Sequence, residues 1–150
     1  MNNIKFLKLT ILLLYLIDST ACKQNSHYSI KTFAKLDKEI NNRKAIVVIP
    51  NQGCPGCIST AESFVTENAK KQIDVVFIFT RISSMKLLRS KLGTEVQQLK
   101  NIIFDSNNTI EYLDDTKEIY PMIIFVDHGK IKKIMYQSPF EEGFNELSKR

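Results

Sequence analysis

Short runs of β-branched and aromatic residues, separated by segments of helical periodicity, constrain the fold of this chain most. Residues 45–49 (Ala-Ile-Val-Val-Ile) contain no polar side chain, which is typical of a strand buried on both faces of a sheet. Similar runs occur at residues 73–80, 102–104 and 122–126. Because strands that alternate with helices usually pair in parallel, the pattern indicates an α/β domain.

Segments with helical spacing lie between these strands. Apolar residues recur three and four positions apart in residues 30–40 and 58–71, which predicts a helix before and a helix after the first strand. The pair Ser83-Ser84 can cap a further helix that runs through Leu92 and stops at Gly93. The helices therefore fall in the connections that parallel strands require.

The last part of the chain predicts an antiparallel addition to the sheet. Residues 127–130 have the composition of a tight turn, and residues 131–136 alternate only partly, as expected for a strand nearer an edge. Phe140, Phe144 and Leu147 then lie at helical spacing. We therefore predict an α/β fold in which a central mixed β-sheet is flanked by helices on both faces.

The first 21 residues have the pattern of a signal peptide. Lys5 and Lys8 precede an apolar run at residues 9–17. This run is too short to cross a bilayer core, which needs about 20 helical residues. The sequence Ser19-Thr20-Ala21-Cys22 follows. It resembles the lipobox of bacterial lipoproteins, although Ser19 stands where that motif usually has Leu. By this resemblance residues 1–21 are removed and Cys22 is lipidated; the alternative is ordinary cleavage after Ala21.

Either cleavage places the mature chain outside the cytoplasm, where disulfides persist. Residues 22–28 are polar and aperiodic, so we interpret them as a tether, and residues 29–150 as the folded domain. The predicted location is extracytoplasmic, on a membrane-anchored lipoprotein facing the periplasm or the cell surface. The lipid on Cys22 would supply the contact with the membrane.

Composition excludes several classes of protein. A chain of 150 residues forms one domain, and three cysteines are too few for a disulfide-rich scaffold. The net charge of +5 comes from 21 Lys and Arg against 16 Asp and Glu. These lysines are scattered instead of forming a dense stripe with aromatic residues between them, so nucleic acid is not predicted as a partner.

The motif Cys54-Pro55-Gly56-Cys57 concentrates the chemistry. It follows a predicted buried strand and opens a predicted helix, whose N-terminus carries unsatisfied N–H groups and a partial positive charge. That field favours the thiolate, which is the attacking species in disulfide exchange. Cys54 is therefore the candidate nucleophile. Cys57, one turn further into the helix, is the candidate resolving thiol.

This arrangement resembles the thioredoxin-like superfamily, because Ile119-Tyr120-Pro121 directly precedes the strand at residues 122–126. By that resemblance Pro121 has a cis peptide bond and faces the C-x-x-C motif, and Tyr120 supplies backbone groups that pair with an extended substrate segment. The stretch Ile-Ile-Phe-Asp-Ser-Asn-Asn, with Asp105 and Asn107, resembles the TlpA-like, membrane-tethered branch. The resemblance covers about residues 43–149.

The resemblance implies a thiol–disulfide oxidoreductase. Its substrates would be proteins with disulfides or dithiols, bound by Gly53, Pro55, Gly56, Tyr120 and Pro121, with the two glycines letting another backbone approach closely. No prosthetic group is required, because the dithiol itself carries two electrons. If the protein acts as a reductant outside the cytoplasm, its disulfide would have to be reduced again by a membrane protein that passes electrons outward.

The chain departs from the family pattern at several positions. Gly53 stands where most members have Trp, and the central dipeptide is Pro-Gly instead of Gly-Pro. The buried acid of the family, six residues before the first cysteine, is replaced by Val48. Glu62 is one candidate for the missing proton acceptor of Cys57. The competing interpretation of Glu62 is an exposed helix carboxylate.

Two other interpretations of the cysteine pair stay open. The pair can be a permanent staple in a thioredoxin-fold binding lipoprotein, or it can bind a soft metal ion such as Cu(I). A zinc site needs about four ligands, and the only further candidates are His27, His128 and Cys22. We predict no metal site, because His27 lies in the tether, His128 in a turn, and Cys22 is the lipidation site.

Overall fold

The structure, a computed structural model, describes residues 43–149. Within this range six strands form one mixed sheet in the order β3-β2-β1-β4-β5-β6. The strands are β1 (Ala45–Pro50), β2 (Val75–Thr80), β3 (Ile102–Phe104), β4 (Met122–Asp127), β5 (Lys130–Ser138) and β6 (Glu141–Glu142). The predicted signal peptide, Cys22, the tether and the predicted helix at residues 30–40 lie outside the described residues.

Four helices and one short 3-10 helix connect or follow these strands. They are α1 (Pro55–Asn68), α2 (Met85–Leu92), α3 (Thr94–Gln97) and α4 (Gly143–Ser148), with the 3-10 helix at Asp115–Lys117. No helix within residues 43–149 is long and apolar enough to cross a membrane.

Strand β1 lies in the middle of the sheet and determines where the cysteines sit. It pairs in parallel with β2 and antiparallel with β4, while β2 pairs in parallel with β3. The hairpin of β4 and β5 adds the antiparallel part. All six residues of β1 are buried, as their unbroken apolar sequence predicts. The α/β class and the central mixed sheet are thus confirmed, and they are compatible with a thioredoxin-like fold.

The alternation of side chains along the strands divides the core into two clusters. Val47, Ile49 and Phe77 belong to the cluster that α1, α2 and α4 cover, through residues such as Val65, Leu88 and Phe144. The second cluster uses the intervening strand residues, including Ile46, Val48, Ile78 and Ile124. Within the described residues, Ile110 and Tyr112 from the segment after β3 complete this second cluster.

Several element boundaries follow the predicted signals, and α2 follows them closely. The hydroxyl of Ser84 accepts a hydrogen bond from the N–H of Leu87 at 3.2 Å and caps the helix. Gly93, with φ of +77°, ends the helix as predicted. Strand β2 begins at Val75, two residues after the predicted start, because Ile73 is 67% exposed in the turn that follows α1.

Strand β6 and the 3-10 helix at Asp115–Lys117, two short elements of the last third, were not predicted. Strand β6 has only two residues and exists because it pairs with Gln137 and Ser138 of β5. Phe140 was assigned to the apolar face of the last helix, but it lies in the turn before β6 and is 94% exposed. Helix α4 begins at Gly143, and its Phe144 and Leu147 are buried as the spacing predicts.

Candidate functional site

The cysteines lie at one end of the sheet, where three loops meet. Because β1, β2 and β3 are parallel, the loops that follow them emerge at the same end. Antiparallel β4 begins there, so the segment before Pro121 joins them. We call this end, formed by residues 51–54, 81–86 and 105–121, the disulfide edge.

Cys54 and Cys57 form a disulfide across the first turn of α1, with Cα atoms 5.4 Å apart. Cys54 is the N-cap residue in extended conformation, and its Sγ accepts a hydrogen bond from the N–H of Cys57 at 3.4 Å. Pro55 occupies the first turn, where its missing N–H costs no helical bond. The sulfur of Cys54 therefore lies where the helix amides point, and that field favours its thiolate after reduction.

The two sulfurs differ in access. Cys54 is half-buried, whereas Cys57 is only 7% exposed. Cys54 is therefore the more accessible of the two cysteines. This difference is the one that an attacking and a resolving thiol require.

Gly53 meets the segment before Pro121 at very short range. Its φ is +139°, a conformation that favours glycine, and a Cβ placed there would lie 2.5 Å from the carbonyl oxygen of Ile119. The N–H of Cys54 donates to the same oxygen at 3.1 Å. Gly53 thus lets this chain's own backbone approach the motif, a role that the sequence analysis assigned only to a substrate.

Ile119 is a site residue that the sequence analysis missed. It is 41% exposed, which is unusual for a large apolar side chain, and it lies directly beside Cys54. Its position before the recognised pair Tyr120-Pro121 is the only signal in the sequence that points to it. The backbone of Ile119 therefore contacts Cys54, and its side chain is exposed at the disulfide edge.

The predicted cis bond at Pro121 is wrong. No cis peptide bond occurs within residues 43–149, and trans is the preferred isomer even before proline. The carbonyl of the buried Pro121 accepts from the N–H of Gln137 at 2.8 Å, which ties it to β5. The segment before Pro121 nevertheless lies beside the C-x-x-C motif, because the carbonyl of Ile119 accepts a hydrogen bond from the N–H of Cys54.

Tyr120, Pro55 and Gly56 differ in what they can offer a substrate. The N–H of Tyr120 already donates to the carbonyl of Lys117 at 3.0 Å, so its carbonyl is the group suited to pair with another chain. Pro55 and Gly56 are exposed, and a Cβ built on Gly56 would meet no atom within 4 Å. The surface next to Cys54 is therefore open on the side of the helix.

Glu62 is buried, at 7% exposure, so its interpretation as an exposed carboxylate is wrong. Lys91 of α2 donates to both of its oxygens, at 2.8 and 3.1 Å. Five residues along a helix correspond to a rotation of about 140°, so Glu62 and Cys57 do not share a face of α1. Glu62 therefore joins α1 to α2, and Val48, six residues before Cys54, is fully buried.

Asp105 organises the loop after β3. Its Oδ2 accepts hydrogen bonds from the hydroxyl of Thr80 and the N–H of Ile110, both at 3.0 Å. Its Oδ1 accepts from the N–H and the hydroxyl of Thr109, both at 2.9 Å. Burial by itself raises the pKa of Asp105, but these hydrogen bonds outweigh it and the pKa is lowered.

Arg81 fastens the loop that carries Ile119. Its backbone has φ of +52°, and its N–H donates to the side chain of Asn108 at 2.8 Å. Its guanidinium pairs with Glu118 at 2.5 Å and lies 5.4 Å from the ring centre of Tyr112. The ion pair joins the loop after β2 to the residue next to Ile119.

His128 lies in the turn between β4 and β5, at the end of the sheet opposite the cysteines. It therefore does not join Cys54 and Cys57. Residues 43–149 contain no group of three His, Cys, Asp or Glu side chains placed to hold a metal ion. The other two sequence candidates, His27 and Cys22, lie outside the described residues.

Comparisons with known proteins identify no relative. No protein-family model, no curated protein and no solved structure matches this chain. The geometry of the disulfide edge is therefore the basis for any function assigned to it.

Proposed function

We propose that this protein is an extracytoplasmic thiol–disulfide oxidoreductase of the thioredoxin-like superfamily, in its TlpA-like, membrane-tethered branch. One observation carries the proposal: the half-buried sulfur of Cys54 caps α1, next to the buried Cys57 and beside the exposed Ile119. A permanent staple would need no accessible sulfur at a helix N-terminus. An exchange reaction needs one.

The reducing reaction has two steps. The thiolate of Cys54 attacks one sulfur of a substrate disulfide, the substrate S–S bond breaks, and a substrate thiolate leaves. The thiolate of Cys57 then attacks Sγ of Cys54, which breaks the mixed disulfide and releases the second substrate thiolate. The substrate gains two electrons, the protein forms its Cys54–Cys57 disulfide, and the substrate thiolates take their protons from water.

The reverse sequence oxidises a substrate dithiol. A substrate thiolate attacks Sγ of Cys54, and Cys57 leaves as the thiolate. The second substrate thiolate then breaks the mixed disulfide, which releases an oxidised substrate and the reduced protein. The reduction potential of the Cys54–Cys57 pair, compared with that of its surroundings, determines the direction.

Protein substrates would bind along the surface around Cys54. Gly53, Pro55, Gly56, Tyr120 and Pro121 would form the groove, with the carbonyl of Tyr120 available to an extended segment. Ile119 adds an apolar contact that the sequence analysis did not include. The dithiol needs no prosthetic group, and a lipid on Cys22 together with a membrane electron donor would complete the proposed setting.

The redox equilibrium of the cysteine pair tests the proposal. The full chain with Cys22→Ser is incubated in graded glutathione buffers, and free thiols are counted by alkylation and mass. We expect a midpoint between about −270 and −120 mV, the range of exchange proteins. A disulfide that stays closed below about −300 mV would make the pair a structural staple and overturn the proposal.

Trapping of partners tests the two cysteine roles separately. Cys57→Ser removes the resolving thiol, so covalent complexes through Cys54 should accumulate with disulfide-bearing proteins. Cys54→Ser is the matched control, because the buried Cys57 should trap few partners. Equal trapping by both variants would contradict the assignment of nucleophile and resolving thiol.

A further inference from the structure

The end of the sheet opposite the disulfide edge gathers positive charge. It contains the starts of β1, β2 and β3 and the turn between β4 and β5, so residues far apart in sequence meet there. We call this end the basic edge, after its cationic residues Arg43, Lys44, Lys70, Lys71, Lys100, Lys130 and Lys132.

Carboxylates neutralise only part of this charge. Asp74 pairs with Lys44 at 2.9 Å, Asp127 pairs with Lys132 at 3.2 Å, and Glu95 pairs with Lys70. Three other lysines are exposed and have no carboxylate within 4 Å among residues 43–149: Lys71, Lys100 and Lys130. The basic edge therefore keeps a net positive charge.

An apolar side chain projects among these lysines. Ile73 is 67% exposed in the turn between α1 and β2, directly after Lys70, Lys71 and Gln72. A cleft of about 250 Å³ beside it is lined by Lys44, Lys71, Ile73, Phe125 and Leu147, among others. An exposed apolar residue surrounded by lysines is typical of a surface that binds to a membrane interface.

The disulfide edge carries the opposite charge. Residues 51–54, 81–86 and 105–121 contain five carboxylates against one arginine and two lysines, and Glu141-Glu142 follows at the same end of the sheet. The domain is therefore electrically polar along the strand direction. A negatively charged surface attracts the basic edge and repels the disulfide edge.

We propose that the basic edge docks on the surface of a bilayer that contains anionic phospholipids. The lysines lie among the headgroups, Ile73 enters the boundary between headgroups and acyl chains, and the disulfide edge faces away from the membrane. Lipid is favoured over an acidic protein or nucleic acid because the exposed apolar side chain of Ile73 projects among the lysines. The docking requires neither the redox activity nor the lipid on Cys22.

Lysine footprinting on the full chain tests the docking. The protein is reconstituted into vesicles of phosphatidylcholine alone or of phosphatidylcholine mixed with phosphatidylglycerol, and each lysine's acetylation rate is measured by mass spectrometry. We expect Lys71, Lys100 and Lys130 to react several-fold more slowly on the mixed vesicles. Lys86 and Lys117, at the disulfide edge, should react equally on both, and high salt should remove the protection.

Charge-removing variants complete the test. K71Q/K130Q should lower the ratio of docked to undocked protein by about fivefold for each lysine, read from the acetylation of Lys44 and Lys132. K86Q/K117Q removes the same charge from the disulfide edge and should keep the protection. Equal reactivity on both vesicle types would overturn the proposal. Protection by polyglutamate or duplex DNA but not by anionic vesicles would also overturn it, and would assign the edge to an acidic macromolecule.

Discussion

Gly53 brings two segments of the chain together that are far apart in sequence. Its missing Cβ leaves room for the carbonyl of Ile119, and the neighbouring N–H of Cys54 binds the same oxygen. A side chain at this position would separate the disulfide from the exposed Ile119. The glycine therefore positions the candidate site as well as opening it to a partner.

We predict that Gly53→Ala destabilises the protein by about 1–3 kcal/mol, because alanine is strained at a positive φ and its Cβ overlaps the backbone of Ile119. Urea unfolding of the oxidised protein measures the change. Gly56→Ala is the matched control, since its Cβ meets nothing within 4 Å and the residue lies in the first turn of α1. Equal stability of both variants would contradict this reading of Gly53.

The residues of the candidate site were predictable where their chemistry is local. The order of access at Cys54 and Cys57 follows from their places in the first turn of a helix. The burial of Glu62 depends on its tertiary contact with Lys91 of α2, and the exposure of Ile119 depends on how the loop before β4 packs. The periodicity of the sequence carries no information about such contacts. The trans bond at Pro121 likewise could not be derived from the chain itself.

At the scale of elements, the strands of the central sheet were the most predictable part. Their apolar runs are continuous because both faces of the sheet are covered, and a cap or a glycine signals the ends of α2. The short β6 and the 3-10 helix have no periodicity of their own. They depend on pairing with β5 and on the side chain of Asp114, which accepts from the N–H of Thr116.

Asp105 ties the end of β2 to the loop that follows β3, so its loss should loosen the disulfide edge. We predict that Asp105→Asn lowers the free energy of unfolding by about 1–3 kcal/mol at neutral pH, because both carboxylate oxygens accept hydrogen bonds and the amide nitrogen that replaces one of them only donates. Unfolding by urea across a pH series measures the effect.

The pH dependence has a defined sign. The folded pKa of Asp105 is lowered, so its carboxylate stabilises the fold above the unfolded pKa of about 3.9. That stability is lost as pH falls through the folded pKa. The difference in free energy of unfolding between the natural protein and Asp105→Asn should therefore narrow below about pH 4. A difference that stays constant from neutral to strongly acidic pH would show that ionisation of Asp105 contributes nothing.

At the scale of the whole molecule, the sheet does not depend on the disulfide. The bond closes a ring between residues three positions apart, whereas six hydrogen-bonded strands with two apolar clusters form the core. A ring this small removes little freedom from the unfolded chain. The fold should therefore persist in both redox states, as repeated exchange requires.

We predict that reduction lowers the free energy of unfolding by about 2 kcal/mol and leaves the circular-dichroism spectrum nearly unchanged, since loop-closure entropy for so short a ring is small. Cys54→Ser/Cys57→Ser should behave like the reduced protein. Unfolding of the whole domain on reduction would instead identify the bond as a structural staple.

The hydrogen bond between Cys54 and Ile119 also has a consequence for biosynthesis. A ribosome adds Cys54 and Cys57 to the growing chain long before it adds Ile119 and the strands that follow. During that interval the two thiols have no apolar neighbour from the loop before β4 and no completed sheet behind them. If the chain is exported before it folds, as the proposed function implies, it meets oxidants with Cys22, Cys54 and Cys57 all able to pair wrongly. Blocking Cys22 early, as lipidation would, leaves only the pair that belongs together.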